Sequence, residues 1–597
     1  MNEATRFIAE CLEQQAVLTP DVPAIISKAG PTSYFGLLAQ VNGVAARLRD
    51  RGVGKEARVA VCADRSVAWV TGVLGVWFAG ATYIPVDPLA SQERKREICN
   101  DANVMLCLSE SGLLTGVDKP LETIPLNQEL HACSGIQERP EIVSSQAAYG
   151  IYTSGSVGAP KCVTVSQGNL AHYATVLRSE LMITEKDRYL HTASLGFSAS
   201  IRQLVAPLVS GAAVVLAERE DTRDPMRLIS RMLDAGVTVF DTVPSYLGRW
   251  LDAVADSPCD WRERLAESLR LVLTTGEPLP AKLAGYVHSE LPGVQVYNLY
   301  GQTETTGTVA FHEAEAGGTG SISIGRASDA CRFYVLDDQM KVTLDGELYI
   351  SGPCLARGYQ GLPKLTASRF LPDPFCGIPG ERMYRTGDRV SRLEDGLLMF
   401  KGRTDTQVKV YGVRIDLDEI DSNLLAHPDV QEAVTVARPN EEGDVRLVSF
   451  AVSRPSRSSL QAEQLREFLG TRLSQPMVPG TIALIDELPR TSSGKVDRPA
   501  LVARELTIAA PTTASAPPRT QIERLVAQCW EDTLQMKGIG VNDDFFALGG
   551  HSIQAVEMFL SLQKRLPKQL FLGTLFFQDP MLSAFAGAIE EELGDTI

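Results

Sequence analysis

The feature that most constrains the fold of this 597-residue chain is a long alternation of short apolar runs with helical stretches, from the N-terminus to about residue 400. Arg58–Cys62, Ala212–Leu216 and Leu269–Leu273 have the apolar composition of buried strands. A helix is predicted from Ser66, followed by a strand at Ala81–Pro85. Strands separated by helices predict a layered α/β architecture for this large N-terminal part.

The alternation ends in a charged segment at Lys401–Gly412, and a smaller α+β unit is predicted after it. A stretch rich in Ala, Thr and Pro then forms the clearest linker, and several short amphipathic helices are predicted beyond it. At about 150 residues per domain, the chain is long enough for three or four domains. The predicted boundaries are a large subdomain at 1–403, a small mobile subdomain at 404–506, a linker at 507–520 and a helical domain at 521–597.

The composition excludes several classes of partner and setting. A net charge of −16 disfavours binding to nucleic acid or to an anionic membrane. The eleven cysteines include no CxxC pair, so we expect neither a zinc site nor a disulfide framework, and a reduced, cytoplasmic location. The acidic, amphipathic N-terminus does not resemble a signal peptide. The most apolar run, Ala68–Tyr83, is too short to span a bilayer and is predicted to be a buried helix leading into a strand.

The segment Tyr152–Lys161 combines glycines, hydroxyl residues and a lysine. Small residues allow backbone N–H groups to surround an anion, hydroxyls add hydrogen-bond donors, and the lysine supplies positive charge. The segment is therefore a candidate phosphate loop. Its order of glycines and lysine is not that of a Walker A motif, and the alternative interpretation is an ordinary Gly/Ser surface loop.

Together with further motifs in the same order, this segment resembles the adenylate-forming superfamily, in particular a nonribosomal peptide synthetase adenylation domain fused to a peptidyl carrier protein. Near the C-terminus, Asp543–Ile553 resembles the phosphopantetheine attachment site of acyl and peptidyl carrier proteins. The resemblance implies a large layered α/β N-terminal adenylation subdomain, a small α+β C-terminal subdomain and an all-α four-helix carrier domain. The other segments that carry it are Ser33–Leu38, Ala79–Pro88, Tyr152–Lys161, Asn298–Glu304, Gly346–Tyr359, Tyr384–Asp388, Gly402–Arg414 and Leu488–Lys495.

The resemblance implies two half-reactions. A carboxylate attacks the α-phosphate of ATP, which gives an acyl-adenylate and pyrophosphate; a phosphopantetheine thiol then attacks the acyl carbonyl and releases AMP. Such chemistry depends on positioning and charge neutralisation more than on a protein nucleophile. By resemblance, Lys495 would contact the substrate carboxylate and the adenylate, Asp405 would be the hinge about which the small subdomain swings, and Ser552 would carry the phosphopantetheine.

The resemblance also assigns residues to the nucleotide and its metal. Taken alone, Asp388 is more simply explained as a turn residue, Lys495 as a solvated loop lysine and Glu304 as an acid at a helix N-terminus, and only their joint order favours a function. Glu304 would bind Mg²⁺ as a hard oxygen ligand. Tyr300 would stack on adenine, and Asn298 would form a hydrogen bond with the edge of the adenine ring. The residues expected to bind ATP are Thr153, Ser154, Gly155, Ser156, Gly158, Lys161, Asn298, Tyr300, Thr303, Asp388 and Arg403.

The substrate pocket is where the sequence departs from the family. Peptide-synthetase adenylation domains usually have Asp at the position of Ser198, where it pairs with the α-ammonium group of an amino acid. An unpaired ammonium costs roughly several kcal/mol, so an ordinary α-amino acid is not expected. The pocket positions implied by alignment are Phe197, Ser198, Ala199, Arg202, Asp241, Leu273, Thr275, Leu299, Gly307 and Thr308.

Two of those positions are charged, although such pockets are usually mostly apolar. Arg202 and Asp241 could pair with each other. Alternatively, Asp241 could take a displaced amino or guanidino group and Arg202 an acidic or carbonyl group. The candidate substrates are a β- or other displaced amino acid, an aryl acid, or an α-keto or hydroxy acid. Because Asp241 is the only acid among these positions, an amino group bound elsewhere is the preferred hypothesis.

The predicted function is therefore ATP-dependent loading of a small carboxylic acid onto phosphopantetheine at Ser552. The alternatives are a free-standing acyl-CoA ligase-like enzyme and a carrier platform with an impaired adenylation domain. The expected partners are a phosphopantetheinyl transferase, a downstream tailoring or condensation enzyme acting in trans, and a small MbtH-like activator. Neither nucleic acid nor membrane is expected as a partner.

Overall fold

The computed structural model describes residues 6–110, 121–126, 139–153, 160–410, 412–439, 445–454, 460–490, 496–504, 516–534, 536–546, 548, 550, 552–577 and 579–594. Within these residues three units follow one another along the chain. We call them the N-terminal, middle and C-terminal units and define each by its helices and strands.

The N-terminal unit alternates helices and strands, as the sequence pattern predicts. Its helices are α1 (Ile8–Leu18), α2 (Tyr34–Arg49), α3 (Val67–Phe78), α4 (Gln92–Asp101), α5 (Gln167–Leu181), α6 (Ser198–Val209), α7 (Arg219–Arg223), α8 (Pro225–Ala235), α9 (Pro244–Ala255), α10 (Cys259–Ser268), α11 (Ala281–Glu290) and α12 (Pro363–Arg369). Its strands are β1 (Pro23–Ser27), β2 (Gly30–Ser33), β3 (Arg58–Cys62), β4 (Thr82–Pro85), β5 (Leu106–Ser109), β6 (Glu122–Pro125), β7 (Ala147–Thr153), β8 (Lys161–Ser166), β9 (Arg188–His191), β10 (Ala213–Leu216), β11 (Val239–Thr242), β12 (Leu271–Thr275), β13 (Gln295–Gln302), β14 (Gly307–Glu313), β15 (Arg326–Ala327), β16 (Arg332–Leu336), β17 (Asp345–Ser351), β18 (Gly358–Tyr359), β19 (Phe370–Pro372), β20 (Arg382–Arg392) and β21 (Leu398–Arg403).

Two sheets with parallel centres form most of the core of this unit. The first has the strand order β15-β14-β13-β12-β11-β9-β10-β1-β2, with parallel pairing from β13 to β1. The second has the order β18-β8-β7-β4-β3-β5-β6, with parallel pairing from β7 to β6. An antiparallel sheet of β16, β17, β20, β19 and β21 completes the unit. Because parallel strands end at the same edge, residues that follow β9, β11, β12 and β13 lie close together, at the edge where α/β proteins bind ligands.

Serine residues form the N-caps of several helices. The Ser33 hydroxyl accepts a hydrogen bond from the Gly36 amide at 3.2 Å, and the Ser66 hydroxyl accepts one from the Trp69 amide at 3.1 Å. These contacts satisfy N–H groups that have no partner within the first helical turn. α3 is buried from Trp69 onward and leads into β4, which confirms the buried helix and strand predicted for the apolar run. No helix among the described residues is long and apolar enough to cross a membrane.

The middle unit is small and mixes helices with strands. Its elements are β22 (Gln407–Val410), β23 (Val413–Asp416), α13 (Leu417–Leu425), β24 (Val430–Pro439), β25 (Val445–Ser453), α14 (Ala462–Arg472), β26 (Thr481–Leu484) and α15 (Arg498–Ala503). β22 and β23 form a hairpin, and β24, β25 and β26 form a separate sheet. Apolar residues of the hairpin, α13, α14 and this sheet share one core.

The C-terminal unit is helical, with α16 (Gln521–Leu534), α17 (Ser552–Gln563), α18 (Leu572–Phe576) and α19 (Leu582–Leu593). Its core is a cluster of aromatic rings. Phe576 is fully buried and contacts Trp530, Phe545, Phe559 and Phe585 at centroid distances between 5.1 and 6.2 Å. Aromatic pairs at these distances stabilise a small core beyond their buried area. The three units together confirm the predicted fold class, whereas the exact domain boundaries stay predictions.

The C-terminal unit packs against α7, α8 and α9 of the N-terminal unit. The Arg249 Nε of α9 donates to Glu557 Oε1 of α17 at 2.9 Å. The Gly573 amide of α18 donates at 3.1 Å to Asp224, the residue that also caps α8. A cavity of about 260 Å³ remains beside these contacts, lined by Met226, Asp256, Leu560, Gln563, Lys564 and Gln569. The interface is therefore held mainly by charged and polar contacts.

We predict that Glu557→Arg separates the C-terminal unit from the N-terminal unit, because it places a second guanidinium against Arg249. The radius of gyration measured by small-angle X-ray scattering should then rise. The double variant Arg249→Glu/Glu557→Arg should return it toward the wild-type value, and Glu591→Arg, on the exposed face of α19, should not change it. An unchanged radius in the single variant would show that this ion pair does not hold the interface.

Candidate active site

Asp388 is the centre of the predicted nucleotide site. This carboxylate lies in β20, is 1% exposed, and accepts hydrogen bonds from the Tyr300 hydroxyl at 2.6 Å and the Gln302 amide at 2.7 Å. Arg403 forms an ion pair with its other oxygen. Tyr300 and Gln302 come from β13, so two sheets contribute to one buried acid. The structure thus brings together Tyr300, Asp388 and Arg403, which the sequence predicted to bind one ligand.

Two other predicted nucleotide residues lie beside them. Asn298 is buried in β13, and its amide nitrogen donates to the Ser323 carbonyl at 2.8 Å. That contact leaves the carbonyl oxygen of its side chain as the atom that can accept from a ligand. Thr303 begins a turn of 3₁₀-helix, Thr303–Thr305, and is half-buried.

Glu304, the predicted metal ligand, lies in the same turn and is completely buried. Its Oε1 accepts from the Tyr359 hydroxyl at 2.8 Å, and its Oε2 accepts from Arg414 Nη1 at 3.1 Å. Burial by itself raises the pKa of Glu304, but Arg414, Lys161 and Tyr359 outweigh it and lower that pKa to about 2. The carboxylate is therefore ionised throughout the physiological range.

Lys161 begins β8 and lies over the ring of Tyr359. Its ammonium is 5.1 Å from the centroid of the Tyr359 ring. Thr153, at the end of β7, is paired with Lys161 in the antiparallel ladder, so the candidate phosphate loop leaves and re-enters the sheet at neighbouring positions. The other predicted phosphate-binding residues, Ser154, Gly155, Ser156 and Gly158, lie outside the described residues.

Asp405, the predicted hinge, lies between the N-terminal and middle units. It accepts from Arg403 at 2.7 and 2.9 Å, and Arg369 lies 3.5 Å away. Burial raises its pKa, but Arg403 outweighs burial and keeps the pKa of Asp405 below its usual value. Arg403 also donates to Gln407 at 2.9 Å. One guanidinium thus joins the nucleotide site, the predicted hinge and the first strand of the middle unit.

The β22–β23 hairpin of the middle unit closes over the site. The Gly412 amide donates to Glu277 Oε1 at 2.7 Å, and Arg414 donates to Gln302 at 3.2 Å as well as to Glu304. Gly276 has φ of +90° and faces Gly412 so closely that a Cβ on it would lie 3.1 Å from the Gly412 Cα. Glycine at this position permits the close approach.

The predicted substrate pocket is formed by α6 and the ends of the first sheet. Ser198 is the first residue of α6 and is half-buried, whereas Arg202, one turn along the same face, is 3% exposed. Arg202 pairs with Asp241 of β11 through two hydrogen bonds, Nε to Oδ2 at 2.8 Å and Nη2 to Oδ1 at 2.9 Å. Of the two interpretations of these charges, the structure shows mutual pairing. The preferred hypothesis, that Asp241 receives a displaced amino group, stays a prediction that this pairing disfavours, because the Arg202 guanidinium already balances the charge of Asp241.

The remaining pocket positions surround this pair. Phe197 precedes α6 with 39% of its surface exposed, and the half-buried Ala199 follows Ser198. The positions on the sheet are Leu273 and Thr275 of β12, Leu299 of β13, and Gly307 and Thr308 of β14, all buried except the half-buried Thr275.

Two predicted catalytic positions are not placed by the structure. Lys495 lies outside the described residues. Ser552 is the first residue of α17, but its side chain is outside the part of the chain that the structure describes.

Four residues of the site have no role in the sequence analysis: Glu277, Gln302, Tyr359 and Arg414, which pairs with Glu304. Glu277 accepts from the backbone and hydroxyl of Ser245 at 2.9 and 3.0 Å, as well as from Gly412. Tyr359 and Gln302 were within recognised motifs but had no role. A Gly-Glu-Pro sequence directly after a buried strand marks Glu277 as a turn at the ligand-binding edge, and this signal could have identified it.

Three segments of the chain match known families. Residues 12–360 match the family described as AMP-binding enzyme, and residues 419–495 match its C-terminal domain. Residues 524–589 match the phosphopantetheine attachment site. The first match alone covers more than half of the chain.

The chain is also similar to longer curated proteins. It is 34% identical over 601 residues to the dimodular nonribosomal peptide synthase of Bacillus subtilis (strain 168), covering 99% of this chain and 24% of that protein. It is 34% identical over 594 residues to tyrocidine synthase 3 of Brevibacillus parabrevis, covering 98% of this chain and 9% of that protein. The chain thus spans less than a quarter of the length of either relative.

Solved structures show the same fold. A holo nonribosomal peptide synthetase protein containing adenylation and PCP domains, bound to a vinylsulfonamide inhibitor, matches with a TM-score of 0.80 at 24% identity, over 97% of this chain and 96% of that one. A holo four-domain nonribosomal peptide synthetase bound to AMP and glycine matches with a TM-score of 0.60 at 28% identity, over 99% of this chain and 43% of that one.

We predict that the affinity for ATP falls as the pH rises through about 8. Burial lowers the pKa of Lys161 to about 8, in spite of the nearby Glu304, so the lysine loses its charge above that pH. A neutral amine cannot neutralise phosphate. Isothermal titration calorimetry between about pH 7 and about pH 9 should show the loss together with proton uptake on binding.

Lys161→Met is the matched control for this titration. Because it has no charge to lose, its affinity should be low and nearly constant over the same pH range. If the wild-type affinity were equally constant, Lys161 would not be the titrating group.

Proposed function

Because the chain belongs to the AMP-binding enzyme family, we propose that it uses ATP to activate a carboxylic acid as an acyl-adenylate and transfers the acyl group to a phosphopantetheine thiol on Ser552. This is the chemistry of an adenylate-forming ligase with an attached carrier, in nonribosomal peptide or related natural-product biosynthesis. The match to a phosphopantetheine attachment site favours it over a free-standing acyl-CoA ligase, which needs no attached carrier.

The observation that carries the proposal is the convergence of Lys161, Glu304 and Asp388. Lys161 and Glu304 both contact Tyr359, one over its ring and the other at its hydroxyl. Asp388 bonds Tyr300 of β13, the strand that directly precedes the turn of Glu304. A cation for phosphates, an acid for a metal and an acid for ribose hydroxyls are what phosphoryl chemistry on a nucleotide requires. Their retention also favours an active ligase over a carrier platform with an impaired adenylation unit.

Mg²⁺ fits this group, and Glu304 is the residue that would hold it. The described residues contain no cluster of three metal-ligating side chains, so the ion would rest on one protein carboxylate and on the phosphates of ATP, as Mg²⁺ commonly does. When bound, it would neutralise phosphate charge. Since Arg414 occupies Glu304 Oε2, its guanidinium has to withdraw before a second cation binds there.

The two half-reactions would use two positions of the middle unit. Gly412 and Arg414 lie against the site, and this position suits the second half-reaction, in which the hairpin helps to form the entry for the thiol. For the first half-reaction, rotation about Asp405 would remove the hairpin and bring in Lys495. Hinge positions between units absorb such rotations.

The substrate is proposed to lack a conventionally bound α-ammonium group. Ser198 provides a hydroxyl where a counter-charge would be needed, and Asp241 is already paired with Arg202. In addition, the N-terminal end of α6 carries a partial positive charge, which favours an oxygen over an ammonium. An α-hydroxy or α-keto acid therefore suits the site better than the displaced amino acid, and an aryl acid is the other candidate.

We predict that ATP–pyrophosphate exchange is faster with α-hydroxy or α-keto acids than with α-amino acids of the same side chain. Ser198→Asp should move the ratio of kcat/KM toward the amino acid by at least about 10-fold, because it supplies the missing counter-charge. Ser198→Asn, similar in shape but uncharged, is the control. A standard α-amino acid as the best substrate of the wild type would refute this specificity.

The proposed partners follow from the carrier. A phosphopantetheinyl transferase would modify Ser552, and a condensation or tailoring enzyme acting in trans would receive the thioester. A small MbtH-like activator is proposed as an accessory partner by resemblance alone.

Ser552→Ala is predicted to abolish covalent loading and to leave pyrophosphate exchange unchanged, because exchange reports only the first half-reaction. Intact-protein mass spectrometry after treatment with a phosphopantetheinyl transferase and coenzyme A should show the pantetheine adduct on the wild type only. An adduct on the variant would place the attachment site elsewhere.

A further inference from the structure

The pair formed by Arg202 and Asp241 is unusual, because it is a buried ion pair at positions that line the proposed substrate pocket. Arg202 is 3% exposed and Asp241 is 1% exposed. A planar guanidinium and a carboxylate bound through two parallel hydrogen bonds have a fixed relative orientation. The pair is therefore a fixed polar group at the positions that the resemblance assigns to the pocket.

The surroundings hold this pair in place. The Tyr189 hydroxyl donates to Asp241 Oδ2 at 2.9 Å, and the Gln203 side chain donates to the Asp241 carbonyl at 3.0 Å. The Gln203 oxygen accepts from the amides of Thr192 and Ala193, which lie in the segment that leads to Ser198. Three hydrogen bonds converge on the Asp241 carboxylate, from Tyr189 and twice from Arg202, and they fix its orientation toward the guanidinium.

Arg202 has hydrogen-bond donors left over. A guanidinium carries five N–H groups. Two are used by Asp241, and a third donates from Nη1 to the Thr308 hydroxyl at 3.0 Å. The remaining two, one on each terminal nitrogen, have no acceptor among the residues that the structure describes. Buried donors without an acceptor are costly, so a ligand oxygen at this position would be favoured.

The position of these donors relative to Ser198 sets the reach of the substrate. Ser198 and Arg202 are four residues apart on α6, which corresponds to about 6 Å along the helix axis. A carboxylic acid whose α-carbon lies beside Ser198 would therefore place a group a few bonds farther along its chain near Arg202.

We propose that Arg202 is a specificity residue that binds a neutral oxygen acceptor on the side chain of the substrate, and that Asp241 is the positioning residue for it. This proposal rests on the proposed function and narrows its substrate class to short carboxylic acids with a distal hydroxyl or carbonyl oxygen. A distal ammonium group on the substrate would face only the N–H donors of Arg202, with which it cannot form a hydrogen bond. A distal carboxylate would add an unbalanced negative charge to a pair that is already neutral.

The first test uses the wild-type chain and a matched series of acids. A short linear alkyl acid is compared with its ω-hydroxy, ω-amino and ω-carboxy analogues of equal length by pyrophosphate exchange. The ω-hydroxy acid should have the highest kcat/KM, by at least about 10-fold over the alkyl acid, because a site built to bond an oxygen discriminates against an analogue without one. A preference for the ω-amino acid would overturn the proposal.

The second test changes the preference among these acids by removing one charge of the ion pair at a time. Asp241→Asn leaves Arg202 without its counter-charge, so exchange with the ω-carboxy acid should rise at least about 10-fold relative to the ω-hydroxy acid. Arg202→Met leaves Asp241 unpaired and should raise exchange with the ω-amino acid instead. The double variant Arg202→Met/Asp241→Leu should prefer the alkyl acid. A purely structural ion pair would not produce these opposite gains.

Asp187→Asn is the matched control. Asp187 accepts two hydrogen bonds from Arg270, at 2.7 and 2.8 Å. Asp187 directly precedes β9 and Arg270 directly precedes β12, so neither residue belongs to α6. The Asp187→Asn variant should leave the order of preference unchanged. If the Arg202 and Asp241 variants kept the wild-type order of kcat/KM among these acids, Arg202 would have no role in specificity. If those variants failed to fold, the absence of a preference for the ω-hydroxy acid in the wild type would lead to the same conclusion. Exchange with no acid of any kind, standard α-amino acids included, would instead count against the proposed function.

Discussion

The contact on which the arrangement of the units depends is that of Arg414 with Glu304. Glu304 is completely buried, and without a cation its charge could not be held there. Arg414 belongs to the middle unit, so this ion pair, supported by Gly412 on Glu277, fixes the hairpin over the site. In this arrangement the Arg414 guanidinium of the middle unit supplies the counter-charge that the buried Glu304 carboxylate requires.

The C-terminal unit is attached in a different way. Its own aromatic core is independent of the rest of the chain, and it meets the N-terminal unit mainly through an ion pair, a helix cap and hydrogen bonds. Contacts of this kind contribute modestly when partly exposed. Releasing such an interface therefore costs less free energy than unfolding either unit.

Much of the fold and part of the site could be predicted from the sequence. The alternation of strands and helices and the final helices indicated the fold class, which is confirmed. The ordered motifs indicated the adenylate-forming superfamily and an attached carrier, and the matches to the AMP-binding enzyme family and to the phosphopantetheine attachment site confirm that resemblance. One local prediction was shifted: the strand expected at Leu269–Leu273 begins at Leu271, because Leu269 ends α10. Hydrophobic pattern alone does not mark where a helix stops. The roles of individual residues, including Lys495 and Ser552, stay predictions.

The sequence by itself determined which chemical groups are available: a lysine and two acids in ordered motifs, a serine where an aspartate is usual, and one arginine and one aspartate in a pocket. Only the tertiary structure decided how those charges are used. Arg202 of α6 and Asp241 of β11 are 39 residues apart and meet only in the folded chain. Pairing depends on distance and burial in three dimensions, and neither can be read from the order of residues. The same reason explains why Glu304 faces Arg414 and why both Glu304 and Lys161 contact Tyr359.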